Sequence, residues 1–590
     1  MAIQLSPGVN VSEVDLTTIV PSVSTSAGAF AGNFVWGPVN KRVLIPDEIT
    51  LVKTFGEPDS NTYVSFFTCA SFLAYGNNLT LVRAANTNSF NADSNSSPFG
   101  VSIQIQNQDI FEASYLNQNN NNLYGPFVAR YPGALGNSLT VSVLDAGVVQ
   151  ANGVPYSNNF TSWTYAGSFS TAPNTSVQSV NAGGSYDEMH IAVIDTGGLF
   201  TGTKGTVLEV YPYVSKAYDS IDPLGNSNYY KNVILTNSQY VYAIDPVNYS
   251  STYLSWGGLS GSNFVLTSGP VTTALTGGSD ASIQQADILN AYSKLASKED
   301  VNIDLIFTGD GGVAGSGGSI SSPVTTQQYA INSIAYSRAD CVAFVSPPSS
   351  SVINVPNQES GLITNWYNSL GIAPTPGSYS FSDSGWKYMF DKYNNVYRWV
   401  PLNGDTAGLC VYTDQVRDAW WSPAGFNRGA IKNAVKLAWN PNKTYRDSLY
   451  SLGVNPVVTF PGQGTILFGD KTMQSKPSAF DRINVRRLFL VLEKSISKAA
   501  QYSLFEFNDE FTRAQFVALV TPFLRDVQGR RGITDFRVVC DTTNNTGEVI
   551  DSNRFIGDIY IKPARSINFI QLNFVAVRTG VDFTTVVGKF

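Results

Sequence analysis

Few side chains in this sequence are of the types that perform acid–base or nucleophilic chemistry. His190 is the single histidine among 590 residues, and a Ser-His-Asp triad or a Cys-His pair would need its imidazole as the base. It lies within the apolar run 189–193, which is typical of a strand. We therefore interpret His190 as a strand residue whose ring nitrogens are hydrogen-bonded, and the sequence predicts no catalytic residue.

Two glycine-containing segments approach phosphate-binding motifs without meeting their requirements. In residues 464–472, Asp470 separates the second glycine from Lys471, whereas a P-loop needs the lysine directly after that glycine. Residues 309–314 follow an apolar strand, but the Gly- and Ser-rich run 315–324 delays the helix that a dinucleotide-binding turn must open. We interpret the first segment as a strand and the second as a loop, so no cofactor-binding residue is predicted.

Cysteines and paired carboxylates complete the residues that could do chemistry. The four cysteines are far apart: Cys69, Cys341, Cys410 and Cys540. They form no CxxC pair, so the sequence predicts neither a metal site nor disulfides, as is typical of a reducing compartment. Asp509 and Glu510 are adjacent, but they precede a helical pattern and are predicted to cap its start. A glycosidase pair stays open as an alternative that nothing else in the sequence supports.

The composition indicates a large multidomain protein with extended protein contacts, although a β-rich protein with polar loops would share it. A chain of 590 residues predicts roughly three to five domains. Hydrophobic residues make up 43%, whereas charged residues make up only 14%, below the ~25% usual in soluble domains. The net charge of −7 argues against a nucleic-acid partner. No apolar run reaches the ~18 residues of a membrane span, and no signal peptide is expected.

The elements predicted around these residues change in character along the chain. The Asn-rich stretch 86–122 is predicted to be loop, and 127–184 shows short strand-like runs that suggest a β domain. Residues 189–244 are predicted to continue as strands and loops. Helix-like and strand-like segments then alternate, at 283–296, 301–308, 325–338 and 341–345. This order predicts a partly parallel sheet. The C-terminal region is predicted to hold helices over 485–507 and 510–527, followed by strands over 534–540 and 555–562.

Each end of the chain has the pattern of a short strand beyond a hinge. The residues of these arm strands are Val9, Val11 and Val14 at the N-terminus and Val581, Phe583, Thr585 and Val587 at the C-terminus. The predicted hinges are residues 17–26 and 578–580. An isolated strand needs an edge to pair with. It could pair with a sheet of its own chain or add to a sheet of a neighbouring copy.

The block 386–432 is dense in aromatic residues, glycine, proline and asparagine. Within it, residues 397–405 read YRWVPLNGD, 407–410 read AGLC and 422–429 read SPAGFNRG. These phrases resemble the central signature of the contractile tail sheath proteins of myovirus-type bacteriophages. Further stretches resemble the same family in the same order along the chain: 6–13, 129–137, 227–234, 275–280, 484–489 and 505–508. The Asn-rich stretch 86–122 is the main departure from the family pattern.

The resemblance implies a multidomain fold of the α/β and β classes. It implies an α+β inner domain completed by the N- and C-terminal arm strands, an α/β middle domain and an inserted outer β domain. The expected segments are an N-terminal arm strand and linker (1–22), a discontinuous middle domain (23–90 with 190–360), the inserted outer domain (91–189), a connecting signature region (361–475), a C-terminal tube-facing domain (476–577) and a C-terminal arm strand (578–590).

The resemblance also implies a structural function rather than an enzymatic one. Sheath subunits assemble as stacked rings of six around a tail tube and contract to drive the tube through the host envelope during genome delivery. The implied partners are further copies of this chain, the tail tube protein, and the baseplate and tail terminator proteins, with no nucleic acid, membrane insertion or cofactor. The implied location is the tail of the virion, assembled in the host cytoplasm. In that family the arms add strands to sheets of neighbouring subunits.

A basic surface near the C-terminus is the remaining hypothesis. Residues 476–590 carry 16 Lys and Arg against 12 Asp and Glu, while the first 475 residues carry 21 against 32. Five basic residues on or beside the two predicted C-terminal helices are candidates to face the tube: Lys494, Lys498, Arg525, Arg530 and Arg531. We hypothesise that some of them pair with acidic groups on the tube. A solvated helix face or a structural ion pair is the alternative.

Two other classes of protein stay open from the sequence alone. A β-rich surface adhesin would usually carry a secretion signal and lack the α/β section. An α/β hydrolase-like enzyme would need a base near a nucleophile. The sheath of a phage-like injection device is a variant of the sheath interpretation rather than a separate class.

Overall fold

The computed structural model describes residues 20, 23–94, 102–116, 126–146, 160–244, 255–267, 269–311, 323–568 and 571–572. The chain divides into two compact units. The C-terminal unit comprises Met1–Pro21, Trp420–Ser422 and Ser495–Phe590, and the main unit comprises Ser22–Ala419 and Pro423–Lys494. The predicted arm-strand residues lie outside the described residues: Val9, Val11, Val14, Val581, Phe583, Thr585 and Val587.

The described strands and α-helices follow one another along nearly the whole chain. The strands are β1 Gly28–Asn33, β2 Arg42–Ile45, β3 Leu79–Ala84, β4 Phe127–Ala129, β5 Leu139–Asp145, β6 Glu188–Asp195, β7 Thr206–Ser215, β8 Val241–Ala243, β9 Val271–Ala274, β10 Leu305–Phe307, β11 Val342–Val345, β12 Ser380–Asp383, β13 Trp386–Asp391, β14 Val396–Pro401, β15 Lys436–Leu437, β16 Val454–Asn455, β17 Val457–Phe460, β18 Gly464–Leu467, β19 Ile533–Val539 and β20 Asp558–Pro563. The helices are α1 Glu48–Phe55, α2 Tyr63–Leu73, α3 Gln108–Ser114, α4 Val177–Asn181, α5 Tyr230–Asn237, α6 Gln285–Ser293, α7 Pro323–Gln328, α8 Glu359–Leu370, α9 Pro374–Gly377, α10 Asn403–Val416, α11 Lys443–Leu452, α12 Ile483–Ala500, α13 Glu510–Gly529 and α14 Gly547–Asp551, with a π-helical segment at Tyr329–Tyr336 after α7. None of the described helices is long and apolar enough to cross a membrane.

Seven strands of the main unit form one mostly parallel sheet, in the order β16-β12-β11-β10-β1-β3-β2. Neighbouring strands are parallel except at one edge, where β2 runs antiparallel to β3. Strands β3, β10 and β11 are buried at every residue, as expected for parallel strands covered on both faces. The partly parallel sheet predicted from the alternating segments is confirmed.

Helices cover both faces of this sheet. Alternate residues of a strand point to opposite faces, so Phe30 of β1 joins one apolar cluster while Ala29 and Ala31 join the other. Helices α1, α2 and α10 contribute to the cluster that contains Phe30. Helices α6 and α8 and the π-helical segment contribute to the second cluster. The main unit therefore has the layered core of an α/β fold.

Two glycines let the signature helix α10 pack closely on α2. A Cβ atom at Gly404 would collide with the backbone carbonyl oxygen of Thr68, and one at Gly408 would collide with the ring of Tyr75. Gly404 and Gly408 are four residues apart and so lie on one face of α10. The glycines of the LNGDTAGLC phrase thus have a packing function in this fold.

The described residues between strands β3 and β10 of the parallel sheet form an antiparallel β region. Strands β7, β6, β5 and β9 make a four-stranded sheet in that order, and β4 pairs with β8. Their apolar residues form a third cluster around Val141, Ile191 and Trp256. The sheet joins strands from both sides of the expected boundary at 189/190, because β6 spans it and pairs with β5 and β7.

The C-terminal unit has few elements. Helix α13 begins at its cap residue Asp509, whose side chain accepts a hydrogen bond of 2.8 Å from the Thr512 amide, as predicted. It buries Phe516, Val520, Leu524 and Val527. Strands β19 and β20 pair antiparallel as a two-stranded sheet, and both predicted strands are confirmed.

Three sequence-based predictions need correction. The helix predicted over 485–507 ends at Ala500, because the chain turns through Gln501–Ser503 and Phe505 then adopts a left-handed φ of 71°. The stretch 86–122, predicted as loop, contains α3, which starts where the Asn107 side chain accepts from the Ile110 amide. Residues 189–244, predicted as strands and loops, contain α5.

Candidate functional site

His190 is the first candidate for chemistry, and it is a structural side chain. Its Nε2 lies 2.8 Å from the Thr171 carbonyl oxygen, and its Nδ1 accepts a hydrogen bond of 3.1 Å from the Tyr213 amide. Its ring stacks on Phe169 with the centroids 4.3 Å apart. Burial lowers the pKa of His190, which keeps the imidazole neutral. The prediction of a hydrogen-bonded strand histidine is confirmed.

The two phosphate-loop candidates also serve the fold. Residues 464–467 form β18, as predicted, and Lys471 donates a hydrogen bond of 2.6 Å to the Tyr450 carbonyl oxygen. Gly309 follows β10, and its amide and carbonyl oxygen both bond to the side chain of Asn403, at 3.0 and 2.6 Å. Within the described residues, no group of three or more His, Cys, Asp or Glu side chains could hold a metal ion.

The signature block instead supplies a buried ion pair. The Lys387 ammonium lies 2.9 Å from the Asp405 carboxylate, and the two side chains are 1% and 0% exposed. Tyr75 donates to the same carboxylate at 3.3 Å and accepts from the Lys432 amide at 2.7 Å. Burial raises the pKa of Asp405, and the ammonium of Lys387 opposes that rise. The ion pair joins β13 to α10, and Tyr75, which follows α2, is hydrogen-bonded to it.

A second buried polar network joins three parallel strands to the start of α10. The Asn403 side chain accepts from the backbone amide of Gly309 and donates to its carbonyl oxygen, just beyond β10. The backbone amide of Asn403 donates to Ser346 Oγ at 3.0 Å, just beyond β11. Ser346 Oγ donates to Asp383 of β12 at 2.7 Å. Burial raises the pKa of Asp383 to about 8. In open α/β sheets, ligands bind in the crevice outside the carboxyl ends of the strands, and here the Asn403 side chain of the signature block is bonded at the ends of β10 and β11.

The hairpin of the signature block presents aromatic side chains to the surface. Tyr388, Phe390, Tyr397 and Trp399 are in ring contact, with centroids 4.6 to 5.4 Å apart. The Lys436 ammonium lies 5.0 Å from the Tyr388 ring centroid and 5.6 Å from that of Trp399. Phe390 and Tyr397 are exposed. Because Lys436 is exposed, each cation–π contact of this kind contributes an attraction of about 0.5–1 kcal/mol.

The five basic residues predicted to face a partner are divided between the two units. Lys494 belongs to the main unit, where its ammonium contacts Asp304 Oδ1 at 2.5 Å and the Ile303 carbonyl oxygen at 2.9 Å. The other four are exposed in the C-terminal unit: Lys498, Arg525, Arg530 and Arg531. Arg530 pairs with Asp526 at 3.0 Å and lies over the Trp420 ring at 5.0 Å. Arg531 lies over the Trp421 ring at 5.6 Å.

Sequence reasoning missed an exposed apolar segment in the C-terminal unit. Five large apolar side chains between residues 502 and 511 are exposed: Tyr502, Leu504, Phe505, Phe507 and Phe511. Phe505 is fully exposed, at 104%, and Phe507 is 84% exposed. The sequence signal for it is the apolar alternation at Phe505, Glu506 and Phe507, which does not follow the helical period predicted over 485–507. Contiguous exposed apolar side chains of this kind mark interaction sites.

Comparison with known proteins places this architecture in a family. The tail sheath protein of Vibrio phage KVP40 is 36% identical to this chain over 686 aligned positions, which cover 99% of this chain and 100% of that protein. This chain belongs to the phage tail sheath family. The family predicted from the signature block is thereby confirmed.

A second relative and two family models agree with that assignment. The tail sheath protein of Enterobacteria phage T4 is 32% identical, over 99% of each chain. Residues 281–473 match the family model of the phage tail sheath protein central domain, and residues 475–576 match that of the phage tail sheath C-terminal domain. The sheath family consists of structural tail proteins, and this chain falls in that class. A solved sheath tail protein from Listeria innocua is 11% identical, with a TM-score of 0.49, over 92% of this chain and 96% of that one.

Proposed function

We propose that this chain is the repeating subunit of a contractile phage tail sheath. In this proposal the subunits form stacked rings of six around a tail tube, in the tail of the virion, after assembly in the host cytoplasm. Contraction of the sheath drives the tube through the host envelope and delivers the genome. The proposal rests on membership of the sheath family, together with the exposed apolar segment 502–511 among the described residues of the C-terminal unit.

The exposed apolar segment among the described residues of the C-terminal unit is the structural observation that carries the proposal. Its sheet has only the two strands β19 and β20 among the described residues, and a two-stranded sheet is marginal in water without further strands or packing. The same unit exposes the apolar segment 502–511. A subunit of a homopolymer meets further copies of itself on several sides, so a neighbouring copy is the occupant that we assign to this segment.

The arm strands supply the missing partners in this account. Residues Val9, Val11 and Val14, with Val581, Phe583, Thr585 and Val587, alternate as strands that need an edge. We infer that they add to β19 and β20 of neighbouring copies by β-augmentation, in which main-chain hydrogen bonds supply the affinity. A strand joined through a hinge stays paired while the subunits rotate, which keeps the sheath continuous during contraction.

The antiparallel β region would be the outer part of the subunit. It is an insertion in the chain between strands β3 and β10 of the parallel sheet. We infer that it points away from the tube, while the C-terminal unit faces the tube. Because strand β6 spans residues 189 and 190, we place this outer domain on both sides of that boundary.

The tube contact is proposed for the exposed basic residues of the C-terminal unit. Lys498, Arg525 and Arg531 have exposed side chains, while Arg530 is paired with Asp526 in an exposed ion pair. In this proposal they meet acidic groups of the tail tube protein. The proposal also includes Lys494, although in the single chain its ammonium forms an ion pair with Asp304. Salt screens contacts between exposed charges, so docking to the tube should weaken as the ionic strength rises.

Negative-stain electron microscopy of the chain expressed alone tests the proposed function. We expect tubes with helical striations. Deletion of residues 1–16 or 581–590 should abolish them, because either deletion removes one set of arm strands. Monodisperse particles with tail tube and baseplate proteins present would contradict the proposal.

A further inference from the structure

Residues 23–27 join the N-terminal arm to strand β1, and polar side chains from distant parts of the main unit hold them. The Thr25 hydroxyl donates a hydrogen bond of 2.7 Å to Asp414 Oδ2. Arg487 Nη2 donates to the Thr25 carbonyl oxygen at 3.2 Å and to the same Asp414 oxygen at 2.5 Å. Thr25 is thus bonded through both its side chain and its backbone. Asp414 lies in α10 and Arg487 in α12.

A second set of contacts holds the segment two residues later. The Ala27 amide donates to Asp304 Oδ2 at 3.0 Å, and the amides of Asp304 and Leu305 both donate to the Ala27 carbonyl oxygen. The Lys494 ammonium binds the other carboxylate oxygen of Asp304 at 2.5 Å. It also lies 3.9 Å from Asp340, which is paired with Arg338 at 2.8 Å. The backbone of Ala27 is therefore bonded on both its amide and its carbonyl side.

These charges are buried and balanced. The side chains of Arg487 and Asp414 are 4% and 9% exposed, and those of Lys494 and Asp304 are 15% and 10% exposed. Burial acts to lower the pKa of Arg487, but the carboxylate of Asp414 and neighbouring groups outweigh it and raise that pKa. Burial raises the pKa of Asp304, and Lys494 opposes it. A buried ion pair adds little net stability, yet it penalises any arrangement that separates the partners.

Both cations come from one face of α12. Arg487 and Lys494 are seven residues apart, which is close to two helical turns and about 10 Å along the axis. Between them, Leu490 and Val491 line a cavity of about 20 Å³ together with Ser24 and Thr25, which is room for about one water molecule. The same helix runs on past Lys494 to Ala500, and its residues from Ser495 onwards are assigned to the C-terminal unit.

We propose that Arg487 and Lys494, with Asp414 and Asp304, are an anchor that fixes the body end of the N-terminal arm at Thr25 and Ala27. In this proposal residues 24–27 keep their place in the body of the subunit when the arm is pulled, and load on the arm passes into α12. The hinge predicted at 17–26 is then shorter, because its residues 24–26 belong to the body of the subunit. The inference rests on the proposed function for its mechanical meaning, whereas the anchor itself is a property of the single chain.

Isosteric variants test the anchor in the single chain and its mechanical role in the sheath separately. Thr25→Val removes one donor from the segment and keeps both ion pairs, so it is expected to fold. Asp414→Asn removes the charge that both Thr25 and Arg487 contact. Thr364→Val is the matched control, because its hydroxyl donates only within α8, to Ser360 at 2.8 Å. Amide hydrogen exchange is measured on the unassembled chain, and striated tubes are counted by electron microscopy.

In both variants we expect exchange across residues 23–28 to accelerate about tenfold, since a hydrogen bond to a charged group is lost. Exchange elsewhere in β1 and in the control should stay at the wild-type rate. Tubes of the two variants should be fewer and shorter than those of the wild type and the control. Unchanged exchange at residues 23–28 would overturn the anchor. Accelerated exchange with normal tubes would overturn its role in transmitting load.

The proposed function and the anchor can each fail without the other, and the measurements distinguish the two cases. If the wild-type chain forms no tubes with its partners present, the proposed function fails, while the exchange data still decide whether Thr25 and Ala27 are anchored. If the wild type forms tubes and the variants match it in both measurements, only the anchor fails.

Discussion

The main unit contains fully buried ion pairs, whereas the Arg530–Asp526 and Lys562–Asp535 pairs of the C-terminal unit are exposed. In the main unit, the pairs Lys387–Asp405 and Lys216–Asp145 are at most 1% exposed. In the C-terminal unit, the partners Arg530 and Asp526 are 51% and 60% exposed. A buried pair constrains the packing around it, whereas an exposed pair contributes little to stability. The main unit is therefore specified by its own interior to a degree that the C-terminal unit is not.

Apolar side chains show the same contrast. The main unit buries whole strands and helices, including Val64 to Phe72 of α2. The C-terminal unit leaves five large apolar side chains exposed within ten residues. The difference indicates that the main unit folds around its own core. In the proposed assembly, the C-terminal unit supplies surfaces for neighbouring copies, and variants in each unit test that division.

The largest expected effect is the loss of one partner of the buried signature pair. Lys387→Met leaves the Asp405 carboxylate uncompensated and should lower the free energy of unfolding by about 3–5 kcal/mol. Urea denaturation of the unassembled chain measures it. The double variant Lys387→Met/Asp405→Leu is the control and should recover most of the loss. A loss of unfolding free energy below about 1 kcal/mol for Lys387→Met would show that the buried pair does not constrain the packing of the main unit.

Close packing of α10 on α2 should give the next largest effect. Gly404→Ala places a methyl group against the Thr68 carbonyl oxygen and should destabilise the main unit by about 1–3 kcal/mol. Gly361→Ala in α8 is the matched control, because its Cβ would meet no atom within 4 Å. It should be stabilising by up to about 1 kcal/mol, from helix propensity. Equal unfolding free energies for the two variants would contradict the packing role of the signature glycines.

The stability of the main unit should depend on pH through the buried carboxyl group of Asp383. The pKa of Asp383 is raised to about 8 in the folded chain, so the folded state binds a proton that the unfolded state releases above its ordinary carboxyl pKa. This contribution to stability is full below that ordinary pKa and is lost as the pH rises towards 8. Its slope is about 1.4 kcal/mol per pH unit at most. Asp383→Asn should abolish this part of the slope between pH 5 and 8, and an unaltered slope would show that Asp383 is ionised when folded.

The smallest effect on folding is expected in the exposed apolar segment. The double variant Phe505→Ser/Phe507→Ser should change the free energy of unfolding by less than about 0.5 kcal/mol, since both rings are already exposed. It should nevertheless reduce the number of striated tubes seen by electron microscopy. Normal tubes from this variant would mean that the segment is not covered by a neighbouring copy.

The sequence was most informative where structure depends on local pattern. Apolar runs bounded by helical segments predicted the parallel sheet, and Asp509 before a helical stripe predicted the start of α13. The position of His190 in a strand, with its ring nitrogens hydrogen-bonded, also followed from the apolar run around it. The phrases of the signature block indicated the family, although not that Gly404 and Gly408 would bring α10 against α2.

Features that depend on distant partners could not be predicted in this way. Lys494 bonds to Asp304, which is 190 residues away along the chain, so no local pattern distinguishes it from an exposed lysine such as Lys498. The end of α12 at Ala500 was missed because its apolar stripe continues to Tyr502, which is exposed. Periodicity indicates which face of a helix is apolar, but it does not show whether the chain itself covers that face.

Hydrogen exchange compared between the unassembled chain and assembled tubes tests the central claim most directly. The account predicts that amides of β19 and β20 and of residues 502–511 gain protection on assembly, because neighbouring copies complete the C-terminal unit. Amides of the parallel sheet, including β1, β10 and β11, should keep the protection that they have in the single chain. Unchanged exchange in the C-terminal unit, with new protection confined to the main unit, would contradict the account.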